Sequence, residues 1–294
     1  MTKPKQLDLF AQADPAGRKP KLLDGLAVRD VQCKAVLNGR GDAGYSFNCY
    51  TGCSNGCAYC YARYMQKFHP HAEPWGQFVD VKVNAPDVLA RQLRRLKPGS
   101  VFTCSACDGW QSVERRYQLT RRCCQLLLEA GFSLAILTKN ELVLRDLDVF
   151  AGREVSLGVT ITTADPATAR LWEPGASPVP ARVNILKQAR MAGLQTTIMF
   201  GPLLPGISDT TEGLRALFAL AAEANVGRIW TDALNPRPRV WPSVQALLRA
   251  HRPDLPAYYR RILFDAAARD RYLAELRQRV EQAAAECGLA DRLQ

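Results

Sequence analysis

Three cysteines on one short segment have the clearest chemical potential in this chain of 294 residues. Cys53, Cys57 and Cys60 form a C-x-x-x-C-x-x-C pattern within YSFNCYTGCSNGCAYCYARYM. Gly52 and Gly56 let the backbone curl, so three thiolates can converge on one inorganic centre. Three ligands on a four-iron cluster leave one iron open, and an open iron can bind a small molecule. The pattern therefore predicts a [4Fe–4S] site with room for a further ligand.

The same cysteines leave a second kind of metal site open. A structural zinc ion would need a fourth ligand, for which Cys49, His69 or His71 are near in sequence. Zinc-binding pairs are usually spaced more regularly than these residues. The ten cysteines of a chain without an export signal favour metal ligands, redox groups or core residues over disulfides. Cys123 and Cys124, adjacent on a predicted helix, are expected to pack in the core.

The cysteine loop directly follows the first of a series of predicted strands. Short segments rich in branched or aromatic residues alternate with segments whose apolar residues recur at spacings of three and four. The predicted strands lie near 45–50, 78–83, 101–104, 134–138, 155–162, 195–200 and 228–233. The predicted helices are 87–96, 114–130, 141–150, 181–192 and 210–224. This alternation predicts an α/β fold with a parallel sheet and catalytic groups at the carboxyl ends of its strands.

Composition and the chain ends indicate the class of protein, its domain organisation and its expected location. Hydrophobic residues make up 47% of the chain and charged residues 23%, which is typical of a globular protein with a buried core. Residues 1–30 lack periodicity and predict a mobile tail, followed by a core over 31–235 and a helical region over 236–294. The N-terminus lacks the apolar stretch of a secretory signal, and no window has the character of a membrane span. We therefore expect a cytoplasmic protein that does not enter the membrane.

The charge of the chain indicates an anionic partner. The formal net charge is +11, which favours polyanions and makes nucleic acid the leading candidate. Arg237 and Arg239 alternate with Pro236 and Pro238 just after the last predicted strand. Their position predicts contacts with DNA phosphates.

The cysteine loop, its place after the first strand and Tyr59 before the last cysteine resemble the radical S-adenosylmethionine (radical SAM) superfamily. The resemblance implies that the open iron chelates S-adenosylmethionine and that one electron from the cluster cleaves it to methionine and a 5′-deoxyadenosyl radical. It also implies an electron donor such as flavodoxin or ferredoxin. The implied fold is a partial (βα)6-type barrel with a helical C-terminal extension, which agrees with the strand and helix pattern.

A closer resemblance covers residues 46 to about 233 and is to the branch of spore photoproduct lyase and its DNA repair photolyase-like relatives. It rests on the strings GCSNGCAYCYAR, LLEAGFSLAILTKNELVLRDLDVF and VTITTADPATARLWEPGASPVPARVNILKQARMAGLQTTIMFGPLLPGISD. The usual Asn-Pro-Tyr before the cysteine loop is replaced by Asn48, Cys49 and Tyr50. The resemblance implies a set of side chains that hold S-adenosylmethionine: Tyr59, Lys139, Thr160 or Thr162, and Arg182.

Two further cysteines are candidate catalytic residues. Lyases of this branch return a hydrogen atom to the product radical from a cysteine beyond the second or third strand, because a thiol S–H bond is weak enough to quench carbon radicals. Cys104 and Cys107, in FTCSACDGWQSVE, lie in that neighbourhood. The segment departs from the lyase pattern, in which the cysteine precedes Thr-Ser-Asp, because Asp108 directly follows Cys107. Trp110 and Tyr61 are candidates for stacking on bases, with core or rim packing as the alternative.

A short motif in the predicted tail indicates a protein partner. Residues Gln6-Leu7-Asp8-Leu9-Phe10 match the pentapeptide with which many bacterial DNA polymerases and repair proteins bind the sliding clamp. Leu7, Leu9 and Phe10 would be exposed apolar anchors. Gln6 can form a hydrogen bond at a pocket rim. The alternative is that Leu9 and Phe10 pack on the protein's own surface.

Together these features predict a radical SAM enzyme that acts on DNA. The first specific hypothesis is repair of a pyrimidine photoproduct by a carbon–carbon lyase reaction that begins when the 5′-deoxyadenosyl radical abstracts hydrogen. Two alternatives remain open. The same chemistry could modify RNA, a peptide or a metabolite, or the chain could be a clamp-associated DNA-binding accessory protein whose iron–sulfur cluster is structural or senses redox state.

Overall fold

A computed structural model describes residues 20–39, 41, 44–235, 237 and 239–294. The clamp-binding-like residues Gln6, Leu7, Leu9 and Phe10 lie outside the described residues. The strands are β1 (Lys21–Leu23), β2 (Leu26–Val31), β3 (Leu37–Gly39), β4 (Tyr45–Phe47), β5 (Tyr50–Thr51), β6 (Phe78–Lys82), β7 (Ser100–Thr103), β8 (Ser133–Thr138), β9 (Val155–Thr160), β10 (Gln195–Leu203) and β11 (Arg228–Ala233).

The α-helices alternate with the later strands and then dominate the C-terminal part of the chain. They are α1 (Ala85–Leu93), α2 (Glu114–Tyr117), α3 (Leu119–Glu129), α4 (Leu147–Phe150), α5 (Pro166–Trp172), α6 (Val179–Met191), α7 (Thr211–Ala224), α8 (Trp241–His251), α9 (Pro256–Phe264) and α10 (Ala266–Glu286). Short 3-10 helices span Tyr61–Lys67, Glu141–Asp146 and Ala290–Arg292.

The larger sheet has seven strands in the order β11-β10-β9-β8-β7-β4-β3. Its strands are parallel except β3, which pairs antiparallel with β4. Among the described residues, hydrogen bonds do not join β3 to β11, so the sheet is a partial barrel with an open side. The predicted α/β barrel is confirmed, and all its parallel strands end at the same side, where the cysteine loop lies.

The crossover helices cover the outer face of this sheet. Val159, Ile198 and Ile229, on three neighbouring strands, are fully buried. Phe200 of β10 packs edge to face on Phe218 of α7, with 5.3 Å between the ring centroids. Burying branched and aromatic side chains in this way stabilises the barrel by about 1.5–3 kcal/mol for each fully buried large side chain. The barrel is therefore a rigid support for the loops at its carboxyl end.

The strand predicted at 78–83 lies outside the barrel. It is β6, in a separate sheet of order β1-β2-β6-β5, where it pairs with β2 and β5. Strands β1 and β2 fall within the stretch predicted as a mobile tail, which is corrected here for residues 21–30. Ala27 and Val28 of β2 are buried, because pairing with β6 brings their apolar side chains into the core. A pairing between strands so far apart in the sequence leaves no local signal from which it could be predicted.

The helix predicted over 114–130 is divided at Gln118, which has a φ of 51°. The cause is Glu114, whose buried carboxylate accepts hydrogen bonds from the backbone N–H groups of Thr120 and Arg121 at 3.0 and 3.1 Å. These are first-turn N–H groups of α3 that have no partner inside the helix. The side chain of Glu114 therefore starts α3 as a new helix, and it also accepts a hydrogen bond from Tyr50 beside the cysteine loop.

The C-terminal helices pack against the barrel through a polar junction. Asp209, after β10, accepts hydrogen bonds from the hydroxyl of Tyr272 at 3.0 Å and from the backbone N–H of Gly206 at 2.6 Å. Arg279 of α10 donates to the backbone carbonyl of Asp209 at 3.1 Å.

Among the helices of the described residues, none combines the length and apolar content of a membrane span.

Candidate active site

The cysteine loop begins immediately after β5 and turns back twice. The backbone N–H of Gly56 donates to the carbonyl of Cys53 at 3.3 Å, and the N–H of Cys60 donates to the carbonyl of Cys57 at 3.2 Å. Gly52, at the start of the loop, has a φ of 84°, and a Cβ there would lie 2.5 Å from the carbonyl oxygen of Phe78. Only glycine fits this approach, so it fixes where the loop leaves β5.

Cys53, Cys57 and Cys60 line one cavity of about 260 Å³ at the carboxyl end of the barrel. The strands of the barrel contribute residues at or just after their carboxyl ends: Phe102, Cys104, Cys107, Asp108, Leu137, Thr138, Lys139, Thr160, Met199, Gly201, Pro202, Asp232, Ala233, Leu234 and Asn235. The rest of the wall includes Asn55, Tyr59, Tyr61 and Trp75. The cavity therefore lies where the fold predicts catalytic groups.

The fourth ligands that a structural zinc site would need do not lie with the three loop cysteines. Within the described part of the chain, no group of three His, Cys, Asp or Glu side chains is close enough to hold one metal ion. Cys49, which the zinc alternative would need, is buried with its sulfur 3.6 Å from that of Cys123. His71 is paired with Asp80, with 2.9 Å between Nε2 and Oδ2. Neither Cys49 nor His71 lines the cavity, and neither does His69.

Burial makes these thiols difficult to ionise in the absence of a cation. It raises the pKa of Cys57 to about 12, and Lys139 and Arg182 act in the opposite direction. Burial also raises the pKa of Cys60, against the effects of Lys139 and Arg63. A metal centre removes such protons, because it stabilises the thiolate directly. The donor set therefore fits a cationic iron–sulfur core.

Lys139, directly after β8, lines the cavity and lies over an aromatic ring. Its Nζ atom is 5.7 Å from the centre of the Tyr59 ring, within the range of a cation–π contact. Its backbone N–H donates to Asp108 at 2.8 Å. Thr160, the last residue of β9, is buried and lines the same cavity. The structure thus brings Tyr59, Lys139 and Thr160 together with the cysteine loop.

Thr162 and Arg182 lie behind Tyr59 instead of lining the cavity. The Tyr59 hydroxyl donates to Glu173 and lies 2.9 Å from Oγ1 of Thr162, which itself donates to Glu173 at 2.8 Å. Arg182 is almost fully buried and pairs with Glu173 at 2.5 Å, while it donates to the carbonyl of Thr160 at 3.0 Å. These two predicted residues therefore hold the wall of the cavity in place, and the sequence pattern did not identify Glu173, their common partner.

Asp108 is a second residue that sequence reasoning did not assign to the site. Its buried carboxylate accepts hydrogen bonds from the backbone N–H groups of Trp110 and Lys139 at 2.9 and 2.8 Å. It also accepts from the Thr138 hydroxyl at 2.8 Å and from Asn55, within the cysteine loop, at 3.2 Å. Asp108 thereby ties the cysteine loop to the ends of β7 and β8. A carboxylate just after a parallel strand was a signal that could have identified it.

Cys104 and Cys107 line the cavity together, and the neighbouring Cys107 thiol and burial both raise the pKa of Cys104. The Cys107 thiol donates to Oδ1 of Asn48 at 3.7 Å. Cys104 has a φ of 60°, a conformation that is uncommon for any residue with a side chain. Of the two predicted stacking residues, Trp110 is buried and donates to Asp146 at 2.8 Å, so it belongs to the core. Tyr61 is 48% exposed and lies at the rim of the cavity.

The two predicted DNA-contacting arginines follow β11. Arg237 and Arg239 are both exposed, and Arg239 has a φ of 67°. The residues that link them to β11, from Asp232 to Asn235, line the cavity. The predicted phosphate contacts therefore lie a few residues along the chain from the cavity wall.

Comparisons with known proteins agree with this geometry. The model of the radical SAM superfamily matches residues 47–218. An uncharacterized protein of Mycobacterium tuberculosis is 34% identical over 255 residues, which cover 81% of this chain and 74% of that protein. An uncharacterized protein of Methanocaldococcus jannaschii is 32% identical over 168 residues, which cover 57% of this chain and 63% of that protein.

Solved structures resemble the chain in fold. Spore photoproduct lyase complexed with dinucleoside spore photoproduct has a TM-score of 0.66 at 15% identity, with coverage of 90% of this chain and 80% of that one. A double mutant of the same lyase, with bound AdoMet and dinucleoside spore photoproduct, has a TM-score of 0.65 at 17% identity. The match covers 87% of this chain and 79% of that one. At these identities the likeness establishes a common fold.

Proposed function

Because the chain belongs to the radical SAM superfamily, whose enzymes bind a [4Fe–4S] cluster and S-adenosylmethionine, we propose that it uses them to repair a pyrimidine photoproduct in DNA by a lyase reaction. The observation that carries the proposal is a single cavity that contains both the three-cysteine loop and the pair Cys104 and Cys107. The fold of spore photoproduct lyase over 90% of the chain supports the substrate class. The net charge of +11 supports a polyanionic substrate.

Cys53, Cys57 and Cys60 would hold the cluster, since they lie on one short loop and line one cavity. Bound together, the cluster and S-adenosylmethionine supply hydrogen-atom abstraction from an unactivated carbon. The protein's own contribution is to place the reacting carbon of the substrate in the cavity and to exclude competing donors.

Lys139 and Thr160 are the groups best placed to bind S-adenosylmethionine, because both line the cavity next to the cysteine loop. The Lys139 ammonium can pair with a carboxylate, and the Thr160 hydroxyl can donate to one. Tyr59 fixes the position of the Lys139 head group. Thr162 and Arg182 are positioning residues, which act through Glu173 on the hydroxyl of Tyr59.

Cys104 and Cys107 would return a hydrogen atom to the product radical. The S–H bond of one thiol breaks, a C–H bond forms on the product, and the sulfur keeps the unpaired electron. Cys107 is the more exposed of the two, and Cys104 is buried behind it. Replacement of both by alanine should let side products accumulate, and an unchanged product distribution would remove this role.

Cleavage of S-adenosylmethionine under anaerobic reduction tests the proposed function. The release of 5′-deoxyadenosine is measured with ultraviolet-irradiated DNA, undamaged DNA, RNA of the same length and no substrate. We expect release to be stimulated by irradiated DNA alone, with loss of the photoproduct from that DNA. Equal release with RNA or without nucleic acid would contradict a DNA substrate, and a chain that binds cluster and DNA but never cleaves S-adenosylmethionine would be an accessory protein.

A further inference from the structure

Trp230, on the edge strand β11, is unusually exposed for a tryptophan next to a cavity. It is 42% exposed, whereas Trp75, Trp110 and Trp172 are buried. Its neighbour Ile229 on the same strand is fully buried, because alternate residues of a strand project to opposite faces. Trp230 is therefore exposed because it lies on one particular face of β11, and not because the strand as a whole is loosely packed.

The register of the sheet identifies that face. Trp230 is opposite Met199 of β10, and Met199 is opposite Thr160 of β9. Residues opposite each other on paired strands project to the same face of the sheet. Thr160 and Met199 line the cavity, so Trp230 continues the same row of side chains to the open side of the barrel.

The neighbours of Trp230 on this face carry opposite charges. Arg228 precedes it by two residues and is exposed, and Asp232 follows it by two residues and lines the cavity. From the N-terminal end of β11 towards the cavity, this face thus offers a guanidinium, an indole ring and a carboxylate. This set matches the parts of a nucleotide, whose phosphate is anionic, whose base has a flat π-face and whose base edge carries N–H donors.

We propose that Trp230 is the stacking platform for a nucleobase of the substrate, with Asp232 as acceptor for an N–H of the base and Arg228 facing a phosphate. The inference rests on the proposed function, since it assumes a nucleic acid substrate. The base must be taken out of its stack, because a base inside a duplex has both faces covered by its neighbours. Strand β11 is an edge of the larger sheet, and Leu293 is bridged to it at Ile229, one residue before Trp230.

Binding of a labelled oligothymidine, measured by fluorescence anisotropy without cofactors, tests the platform. Trp230→Ala should weaken binding about tenfold, the size of effect that stacking on one aromatic ring contributes. Trp230→Tyr should restore the affinity, because tyrosine also offers a flat ring. The matched control is Trp241→Phe, since Trp241 packs on Phe264 in the C-terminal helices. A base-free oligomer of the same length and charge should bind all four proteins equally.

Two outcomes would overturn the inference. The first is that Trp230→Ala binds oligothymidine as tightly as the wild-type protein does. The second is that Trp230→Ala loses the same factor of affinity for the base-free oligomer as for oligothymidine, which would mean that the ring does not act by stacking. Failure of the proposed function is a separate result, namely that the wild-type protein releases no more 5′-deoxyadenosine with irradiated DNA than without it. The binding measurement needs no cleavage, so the two failures are distinguishable.

Discussion

The ammonium group of Lys139 lies over the ring of Tyr59, 5.7 Å from the ring centre. Tyr59 directly precedes the last cysteine of the loop. The ring cannot turn away, because its hydroxyl is bonded to Glu173 and Thr162. A charge at the end of a flexible side chain is thereby held next to Cys57 and Cys60. From there the Lys139 charge lowers the pKa of both thiols, against the effect of burial, which raises it.

Removal of this charge should weaken the binding of S-adenosylmethionine. Lys139→Met is expected to raise its Kd about tenfold or more, the usual effect of losing a hydrogen bond to a charged group. Lys139→Arg should restore part of the affinity. Equilibrium dialysis with anaerobically reconstituted protein measures this effect, and Lys187→Met, at an exposed pair with Glu223, is the control. Equal Kd values for Lys139→Met and the control would contradict a role in binding.

Replacement of any one loop cysteine by serine should remove the cluster. Cys53→Ser, Cys57→Ser and Cys60→Ser are each expected to lose most of the iron and sulfide, as measured after anaerobic reconstitution, because a thiolate is a far better ligand for these clusters than a hydroxyl. Cys107→Ser, in the same cavity, should keep the full iron content and serves as the matched control. Iron loss in Cys107→Ser would instead indicate a fourth protein ligand.

The buried pair of Glu173 and Arg182 should be important for stability. Glu173→Gln leaves the Arg182 charge buried without a carboxylate, and breaking such a pair costs about 3–5 kcal/mol of unfolding free energy. Glu223→Gln, at an exposed pair, should cost about 0–1 kcal/mol. Denaturant unfolding of the two variants measures the difference. Similar losses of unfolding free energy in the two variants would mean that the buried pair contributes no more to stability than the exposed pair.

The contribution of Glu173 should depend on pH. Burial raises its pKa, but Arg182 and Lys139 outweigh burial and lower it below the ordinary value of 4.5. A carboxylate with a lowered folded pKa stabilises the fold above its unfolded pKa and loses that effect as the pH falls through the folded pKa. The stability gap between wild type and Glu173→Gln should therefore be constant above pH 4.5 and shrink below it. A gap that grows on acidification would contradict this assignment.

Arg237 and Arg239 should contribute to the salt dependence of DNA binding. If each contacts one phosphate, replacing both by glutamine should reduce the slope of log affinity against log salt by about 1.8, since each contact contributes about 0.9. The same change at Arg271 and Arg277, exposed on α10, removes equal charge and should alter the slope less. Equal effects would indicate a general influence of net charge, and no effect would exclude the contacts.

The barrel could be predicted because most of its parallel strands are rich in branched or aromatic residues and alternate with helical segments. Leu134–Thr138 and Val155–Thr160 are examples in which the predicted and observed strands coincide almost fully. The strand Phe78–Lys82 has a similar composition, yet it pairs in the other sheet. Pairing partners depend on contacts distant in sequence, and a strand of five residues does not encode them.

The cysteine loop could be predicted because its ligands are neighbours in the chain. The wall of the cavity could not, because its polar network joins residues far apart, such as Tyr59 with Glu173 and Asp108 with Asn55. Arg182 was predicted from the sequence as a residue that holds S-adenosylmethionine, but its position behind Tyr59 depends on a carboxylate nine residues earlier that has no signature of its own. Buried ion pairs of this kind become visible only once the fold brings their members together.

The unjoined edges of the larger sheet have a topological consequence. A barrel closed by strand pairing admits its substrate from the ends of the strands alone, whereas strands β3 and β11 are not paired with each other, so strand pairing does not bar the middle of a long polymer from this side. Such a polymer needs no terminus near the reacting centre, since the strand can bulge inward and continue on both sides. In the proposed reaction on DNA, covalently closed plasmid circles should consequently serve as substrates as well as linear fragments do.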